Sequence, residues 1–503
     1  MMPLQASAAV DPTAGGFLLV LGIVLPAAAI VALFVLGGRW GPRAAALMLA
    51  GQVLIALRVL VLVVETGQPL GYVVGGWAPP LGIALRADGI SAVMMLTASL
   101  IAAAAGAFAW RDDGSAADGK ERRASLVFLS SLLAIGAALN LLFTSSDLFT
   151  LYVGLELLTF AAIPIVSLKG SAETLRAALR YLLFAVFGSM FYLLGIVLIY
   201  GAHGTLDIAM LAARVKPDGL MLLAAGLATA GLLAKTALFP FHLWLPPAHA
   251  GAPAAGSAVL SALVVKGSLF LLSRLWFDAL PALREPAAMQ LLASLGAAAV
   301  IIGSISALAQ ARLKLLVAYS TVAQIGYMFF VFTLLPAVPG EAWLSGTAWT
   351  GGWMQVVAHA FAKAAMFMAA GVVAEALGHD RISDLGGLAR RLPLVVLTFA
   401  VSGLSLMGIP PSGGFSAKWM LLMAALGQGH WFWAAVIITG GVLAGAYVFR
   451  VLGRMMAEPR HGLTVTPVVG MQQAVALGLA CIALALGLLP LGPMSVLGIG
   501  RVP

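Results

Sequence analysis

The sequence predicts an all-α, polytopic integral membrane protein of about fourteen helices, and three observations predict it. Of 503 residues, 62% are hydrophobic and only 9% are charged, against about 25% charged in an ordinary soluble domain. Apolar runs of about 20 residues recur from end to end, each long enough to cross about 30 Å of hydrocarbon as a helix. The basic residues gather in alternate connections between those runs. No long polar segment interrupts the series, so residues 1–503 read as one membrane domain.

The runs fall near 16–37, 43–64, 88–110, 124–145, 148–168, 175–200, 219–240, 254–277, 288–309, 314–336, 352–377, 393–426, 431–452 and 470–492. The first three form an N-terminal group over 16–110. The stretch from Gly231 to Gly267, GLLAKTALFPFHLWLPPAHAGAPAAGSAVLSALVVKG, joins spans seven and eight through a Pro- and His-rich break. The range 393–426 is too long for one regular span and contains GIPPSGGF, so span twelve is expected to be a second broken helix. Pairing spans four to eight (124–277) with spans nine to thirteen (288–452) puts the breaks of spans seven and twelve in matching places. Five spans is an odd number, so the two repeats are inverted relative to each other. The last helix, 470–492, lies outside both.

Arg39 and Arg43 follow span one; Arg111, Lys120, Arg122 and Arg123 follow span three; Lys169, Arg176 and Arg180 follow span five. Arg312 and Lys314 follow span nine, Arg381, Arg390 and Arg391 span eleven, and Arg450, Arg454 and Arg460 span thirteen. The even-numbered loops hold fewer, chiefly Arg86, Arg284 and Arg274, with Arg214 and Lys216 after span six. The positive-inside rule makes the odd loops cytoplasmic and places both termini outside a bacterial-type inner membrane.

The net charge of +9 sits in these short loops and does not point to nucleic acid. The single cysteine, Cys481, excludes an intrachain disulfide and argues against a cysteine-ligated metal or iron–sulfur site. The N-terminus lacks a basic region before its first apolar run, so a cleaved signal peptide is not expected. No phosphate loop, dinucleotide fingerprint or nucleophile–base set is found, so neither a cofactor nor catalytic residues are expected.

Subtracting the loop charges leaves Glu156, Lys235, Lys266, Lys363 and Lys418, with His359 and Arg58. A lysine at bilayer depth costs from about 3 to over 10 kcal/mol, so this set needs a reason. Snorkelling from helix ends is the competing reading. It suits Arg58, and it suits Lys235, which precedes Pro240, better than Lys266, which has apolar neighbours from Ala258 to Val265 and from Leu269 to Leu272. Glu156 has no nearby sequence partner, so it is either neutralised or paired across helices. His359 and Lys363 are four residues apart in HAFAKAAMF and share a helix face. A neutral imidazole both accepts and donates a proton, while a purely structural His359 bonded to a backbone carbonyl is the alternative. Lys418 follows the PPSGG break, where freed carbonyls admit water. A carboxylate moving toward or away from a buried lysine changes its affinity for a proton, which is the physical requirement for a pump element. His242 and His249, in FPFHLWLPPAHAG, read as structural or as a proton entry, since the neighbourhood lacks further metal ligands.

At these residues the sequence resembles a family. LLAKTALFPFHLWLPPAHAGAP…SALVVKG, DLFTLYVGLELL, LKLLVAYSTVAQIGYMF and HAFAKAAMFM resemble the motifs of the antiporter-like subunits. These subunits are shared by respiratory complex I (NADH:quinone oxidoreductase), the Mrp multisubunit cation/proton antiporters and the membrane-bound group 4 hydrogenases. The resemblance runs from about Asp88 to Arg454. It implies that Glu156 is the fifth-span glutamate, Lys235 and Lys266 the seventh- and eighth-span lysines, His359 and Lys363 the eleventh-span pair, and Lys418 the twelfth-span lysine. It implies one half-channel per repeat, proton transfer through a Glu/Lys/His relay, and work beside other membrane subunits with no redox centre of the chain's own. A lysine rather than a glutamate in span twelve, and no long lateral helix after span fourteen, resemble the Mrp D-type subunit, the smallest complex I member or a hydrogenase homologue. The wording LPPAHAGAP…LSALVVKGSLFLLSRLWF is similar to the D-type and hydrogenase branch, so a D-like subunit of a Na+/proton antiporter is expected first. A complex I or hydrogenase-type subunit is second, and a non-conducting scaffold is third.

Overall fold

A computed structural model describes residues 10–110, 119–335, 342–459, 465–489 and 495–501. Helices α1 (Phe17–Gly37) and α2 (Trp40–Thr66) run on from one another across Gly37, whose φ of 64° and ψ of −164° interrupt the helical ladder. Helix α3 (Gly89–Ala109) starts on Asp88, whose carboxylate accepts the Ser91 N–H at 3.0 Å. Helices α4 (Gly119–Thr144), α5 (Leu148–Ser167) and α6 (Ala172–His203) follow, α5 capped by Asp147 and α6 by Ser171. These short oxygen-bearing side chains satisfy amides that the first helical turn leaves unpaired.

Span seven is broken as its prolines require. Helix α7a (Gly219–Thr236) ends on Ala237 in the left-handed region (φ 56°), a tight turn leads through Phe241–Trp244, and α7b (Leu245–Gly251) resumes. The Trp244 indole N–H donates to the freed Ala234 carbonyl at 2.9 Å. Helix α8 (Ala254–Ala279) contains two π-helical segments, Leu260–Val264 and Arg274–Ala279. Then come α9 (Pro286–Leu308), α10 (Leu313–Leu334) and α11 (Ala342–Leu377).

Span twelve is broken too. Helices α12a (Pro393–Met407) and α12b (Gly413–Gly427), 15 residues each, flank the turn at Gly408–Ser412. Gly414 is required there: a Cβ on it would lie 1.8 Å from the Ser405 carbonyl oxygen. Helices α13 (Trp431–Met456) and α14 (Gly470–Ala485) complete the series. Among the described residues, thirteen helices are long and apolar enough to cross a membrane, and the broken α12 pair makes the fourteenth crossing expected from the sequence.

Helix α8 is buried over nearly all its length, as are α10 and α11, while α1, α2 and α14 lie at the edge. Helix α6 packs on α7a, α9 on α10, and α11 on both α8 and α12b. The sequence reading missed a two-stranded antiparallel hairpin before α3. Its strands β1 (Leu70–Val73) and β2 (Ala84–Ala87) pair with Leu70 opposite Ala87.

Two charges stand differently from their sequence reading, and Arg58 settles between its two. Arg274, read as a loop residue, is buried on α8 between Asp88 and Asp278, 2.7 Å from each. It also stacks on Phe270, with its guanidinium carbon 4.7 Å from the ring centroid. Two carboxylates and a ring face replace the water that a loop would have supplied. Burial alone would raise the pKa of Asp88; the guanidinium of Arg274, joined by Arg86 and the Ser91 amide, outweighs it and holds the carboxyl below its ordinary value. Lys314, also read as a loop charge, is buried in the first turn of α10, donating to the carbonyls of Ala252 at 2.6 Å and Ala250 at 3.2 Å. Arg58 is exposed beside Glu65 at 3.6 Å and takes no part in the interior set, which matches snorkelling. Arg111 and Arg460 lie outside the described residues, as do the side chains of Arg39, Lys120 and Arg122.

Candidate functional site: a row of buried lysines

The row starts at an ion pair. Lys235, in the last turn of α7a, donates to Glu156 of α5 at 2.7 Å, to the Thr159 hydroxyl at 3.1 Å and to the Leu155 carbonyl at 3.4 Å. The Ser189 hydroxyl of α6 donates to the same carboxylate. The lysine side chain is 4% exposed and the glutamate side chain 18%, so the pair is the more open on the Glu156 side. Close approach makes this possible: a Cβ on Gly188 of α6 would lie 2.7 Å from the Gly231 carbonyl oxygen and 3.2 Å from Lys235 Cγ. Glu156 thus finds across helices the partner that its own neighbourhood in sequence lacks.

Beyond the pair the row contains no carboxylate partner among the described residues. The Thr236 hydroxyl, next to Lys235, donates to Ser268 on α8 at 2.9 Å. Lys266 sits on the same stretch of α8, 1% exposed, and its amine donates to the carbonyl of Ser261 inside the first π segment. A π segment shifts the helical ladder by one residue and leaves carbonyls to be claimed by other donors, which is why such segments gather at functional sites. The Ser261 hydroxyl meets that of Thr321 on α10 at 2.9 Å.

Lys363 on α11 is fully buried and donates to the Val317 carbonyl and, at 2.7 Å, to the Ser320 hydroxyl, both on α10. His359, one turn earlier, lies within electrostatic reach of Lys266, Lys363, Lys418 and His249. His249 on α7b in turn lies within reach of Lys363, Lys266 and Lys314. Both histidines are 1% exposed, and all four of their ring nitrogens lack a protein hydrogen-bond partner. The structural alternative for His359, a bond to a neighbouring carbonyl, is therefore absent from this geometry. His242 is buried beside Phe239 and Tyr319 rather than among the lysines. Lys418, on the second turn of α12b, donates to the Leu406 carbonyl of α12a at 2.5 Å and lies 4.2 Å from the centroid of Tyr327. The break thus provides the acceptor for its own lysine.

The six groups singled out in sequence, Glu156, Lys235, Lys266, His359, Lys363 and Lys418, therefore lie inside one bundle, carried by α5, α7a, α8, α11 and α12b. Sequence reasoning missed their polar supports, Thr159, Ser189, Thr236, Ser268, Ser261 and Ser320. A serine or threonine on a buried helix face gives no sign of function by itself, because it also bonds the carbonyl one turn back. Among the described residues, no three His, Cys, Asp or Glu side chains come together as a metal-ligand set.

The model of a family described as "NADH:quinone oxidoreductase/Mrp antiporter, TM" matches residues 145–444, which include all of these groups. The chain belongs to this family. Its relatives include NADH-quinone oxidoreductase subunit N of Desulforudis audaxviator (strain MP104C), 34% identical over 442 residues that make up 87% of this chain and 84% of the relative. The D-type Na(+)/H(+) antiporter protein of Bacillus subtilis (strain 168) is 29% identical over 388 residues, 75% of this chain and 74% of the relative. A chain in the Mrp complex from Dietzia sp. DQ12-45-1b superposes with a TM-score of 0.85 at 25% identity, covering 96% of each chain. This family member is a multi-pass membrane protein, as its composition requires.

Proposed function

We propose that this chain is a proton-translocating subunit of a multisubunit membrane complex, working beside other membrane subunits as a D-like member of a Mrp-type Na+/proton antiporter. The observation that carries the reading is the Glu156–Lys235 pair at 2.7 Å leading into a row of buried lysines held only by neutral acceptors. An amine bound to a carboxylate keeps its proton; one parted from it gives the proton up more readily. Movement of Glu156 therefore sets when Lys235 passes a proton toward Lys266, with the Thr236 and Ser268 hydroxyls between the two helices. His359 and Lys363 carry it on to Lys418. Each repeat, 124–277 and 288–452, supplies one half-channel, and His249, within reach of Lys363, Lys266 and Lys314, stands nearer the lysine row than His242 does. The basic odd-numbered loops support a cytoplasmic membrane location with both termini outside.

Lys266→Ala tests the relay. Lys266 has no neighbouring charge on its helix to replace it, so the variant should lose proton-coupled transport in a vesicle pH-gradient assay while the complex still assembles on a native gel. Lys266→Arg should be impaired too, since guanidinium does not deprotonate near neutral pH. Full transport by the alanine variant would overturn the relay. A scaffold role predicts that both variants transport normally or that both fail to assemble.

A second reading, the same module in a redox complex, is supported by the 34% identity to the quinone oxidoreductase relative. The proteins that copurify with the chain separate the two: small antiporter subunits for the first, quinone- and iron–sulfur-binding subunits for the second.

A further inference from the structure

Between Lys363 and Lys418 the bundle encloses four polar side chains that no ion pair uses. Ser320 and Gln324 lie on α10, one helical turn apart on a common face; Gln355 lies on α11 and Tyr447 on α13. None of the four is more than 2% exposed. The group is tied to a lysine at each end. Lys363 donates to the Ser320 hydroxyl at 2.7 Å. Gln324 Nε2 donates to the Leu406 carbonyl at 3.1 Å, the same oxygen that receives Lys418 at 2.5 Å. Gln355 Nε2 donates to Gln324 Oε1 at 2.9 Å, which fixes how both amides are turned.

Tyr447 reaches into this group from α13. Its ring is fully buried, and its hydroxyl faces the side chains of Gln324 and Ser320 without closing a hydrogen bond to either. Gln355 Oε1 is likewise buried and unpartnered. Buried polar atoms in proteins are almost always paired, with protein or with ordered water, and a group of two hydroxyls and two amides supplies the partners that a bridging water needs. A phenol that served only to fill space would leave its oxygen against apolar atoms. This oxygen faces Ser320 and Gln324, each tied to one of the two lysines.

We propose that Tyr447 is a proton-relay residue on the leg from Lys363 to Lys418; the inference rests on the proton-transfer reading above and assigns it a residue that lies beyond the stretch matched by the family model, 145–444. A hydroxyl both donates and accepts, so it passes a proton without changing its own charge. The Ser320 hydroxyl, which donates to the Val317 carbonyl at 2.9 Å in this structure, turns to Tyr447 Oη and gives it its own proton as the Lys363 ammonium gives one to Ser320 Oγ. Tyr447 releases its original proton, through a water oriented by Gln324 and Gln355, to the neutral amine of Lys418. Each N–H or O–H bond broken is matched by one formed. Lys363 ends neutral, Lys418 ends as ammonium, and both hydroxyls end as they began. The two amides position the water and carry no proton themselves.

Two substitutions in the intact complex test this. Tyr447→Phe keeps the ring and removes the hydroxyl; Tyr447→His gives up ring volume and restores a group able to accept and donate. The relay predicts that Tyr447→Phe slows proton uptake into vesicles by at least about a hundredfold, the low end of general acid–base contributions of about 10²–10⁴, with assembly on a native gel unchanged. It predicts that Tyr447→His recovers part of the rate. A packing role predicts the opposite order, with Phe like the parent and His worse. Parental transport by Tyr447→Phe, or a Tyr447→His variant no faster than Tyr447→Phe, overturns the inference. Lys266→Ala, assayed alongside, separates its failure from failure of the function itself. If Lys266→Ala is inactive and Tyr447→Phe is normal, only the tyrosine leg is wrong; if Lys266→Ala is normal, the relay as a whole falls.

Discussion

The two broken helices hold their lysines in opposite ways. Lys235 precedes its break, at the C-terminal end of α7a, where the helix dipole favours a cation, and it has Glu156 as a counter-charge. Lys418 follows its break and has a carbonyl and an aromatic face instead. Its amine leans back onto Leu406 in the last turn of α12a, the negative end of that half-helix. The first half of the protein therefore stores a pair of opposite charges, and the second half supports a lone amine with neutral groups. A charge pair can be opened and closed. A lone amine responds only to whether a proton reaches it.

This contrast predicts different behaviour for the same substitution. Lys235→Met should be the more damaging, because it leaves the Glu156 carboxylate without its partner; breaking a buried pair in this way costs up to about 3–5 kcal/mol. Transport should be lost and the melting temperature of the purified complex should drop clearly. Lys418→Met should also abolish transport but leave the melting temperature unchanged or higher, since no opposite charge is stranded. Equal destabilisation by the two would erase the distinction. The double variant Glu156→Gln with Lys235→Met should recover much of the stability lost by Lys235→Met and none of the transport.

Gly414→Ala bears on the second break alone. Its Cβ would meet the Ser405 carbonyl oxygen at 1.8 Å, so α12a and α12b must part, at a cost of roughly 1–3 kcal/mol. The Lys418 contact to Leu406 should loosen, and proton transport should fall more than assembly. An unchanged transport rate would show that this contact does not matter.

Asp88→Asn should have the smallest effect on transport, because the Asp88–Arg274–Asp278 cluster is a charge pairing outside the lysine row. Its effect belongs to stability, and its pH dependence has a definite sign. The folded carboxyl sits below its ordinary value of 3.8, so its contribution is present at neutral pH and is lost as pH falls below about 3.8 toward the folded value. The melting difference between parent and variant should therefore shrink on acidification. A difference that grew would mean that Asp88 is not held ionised by Arg274.

Both breaks were legible in sequence because their prolines and glycines are clustered, in FPFHLWLPP and GIPPSGG, whereas single prolines such as Pro26 and Pro164 sit inside helices. The lysine row was legible because a charge inside an apolar run is costly and needs an explanation. Arg274 and Lys314 were misread for the converse reason. Their distance from the middle of an apolar run suggested solvent, while the partners that let them be buried, Asp88 for one and the Ala250 and Ala252 carbonyls for the other, come from distant parts of the chain. The β1–β2 hairpin was hidden by its length, since four residues per strand show no usable alternation. Tyr447 was passed over because an aromatic residue in an apolar helix normally signals packing alone.

The π segment at Leu260–Val264 gives α8 a property that a regular helix would lack. It accommodates one residue more than the α-helical ladder needs, so it works as a phase adjuster. Wound as regular α-helix with the same residues, that segment would turn everything beyond it by about 100° and shift it by about 1.5 Å along the axis. Lys266 would swing off the Ser261 carbonyl, and Arg274 would leave its two carboxylates in the same motion. One backbone irregularity thus sets the angular position of both charged residues on the most enclosed helix of the bundle.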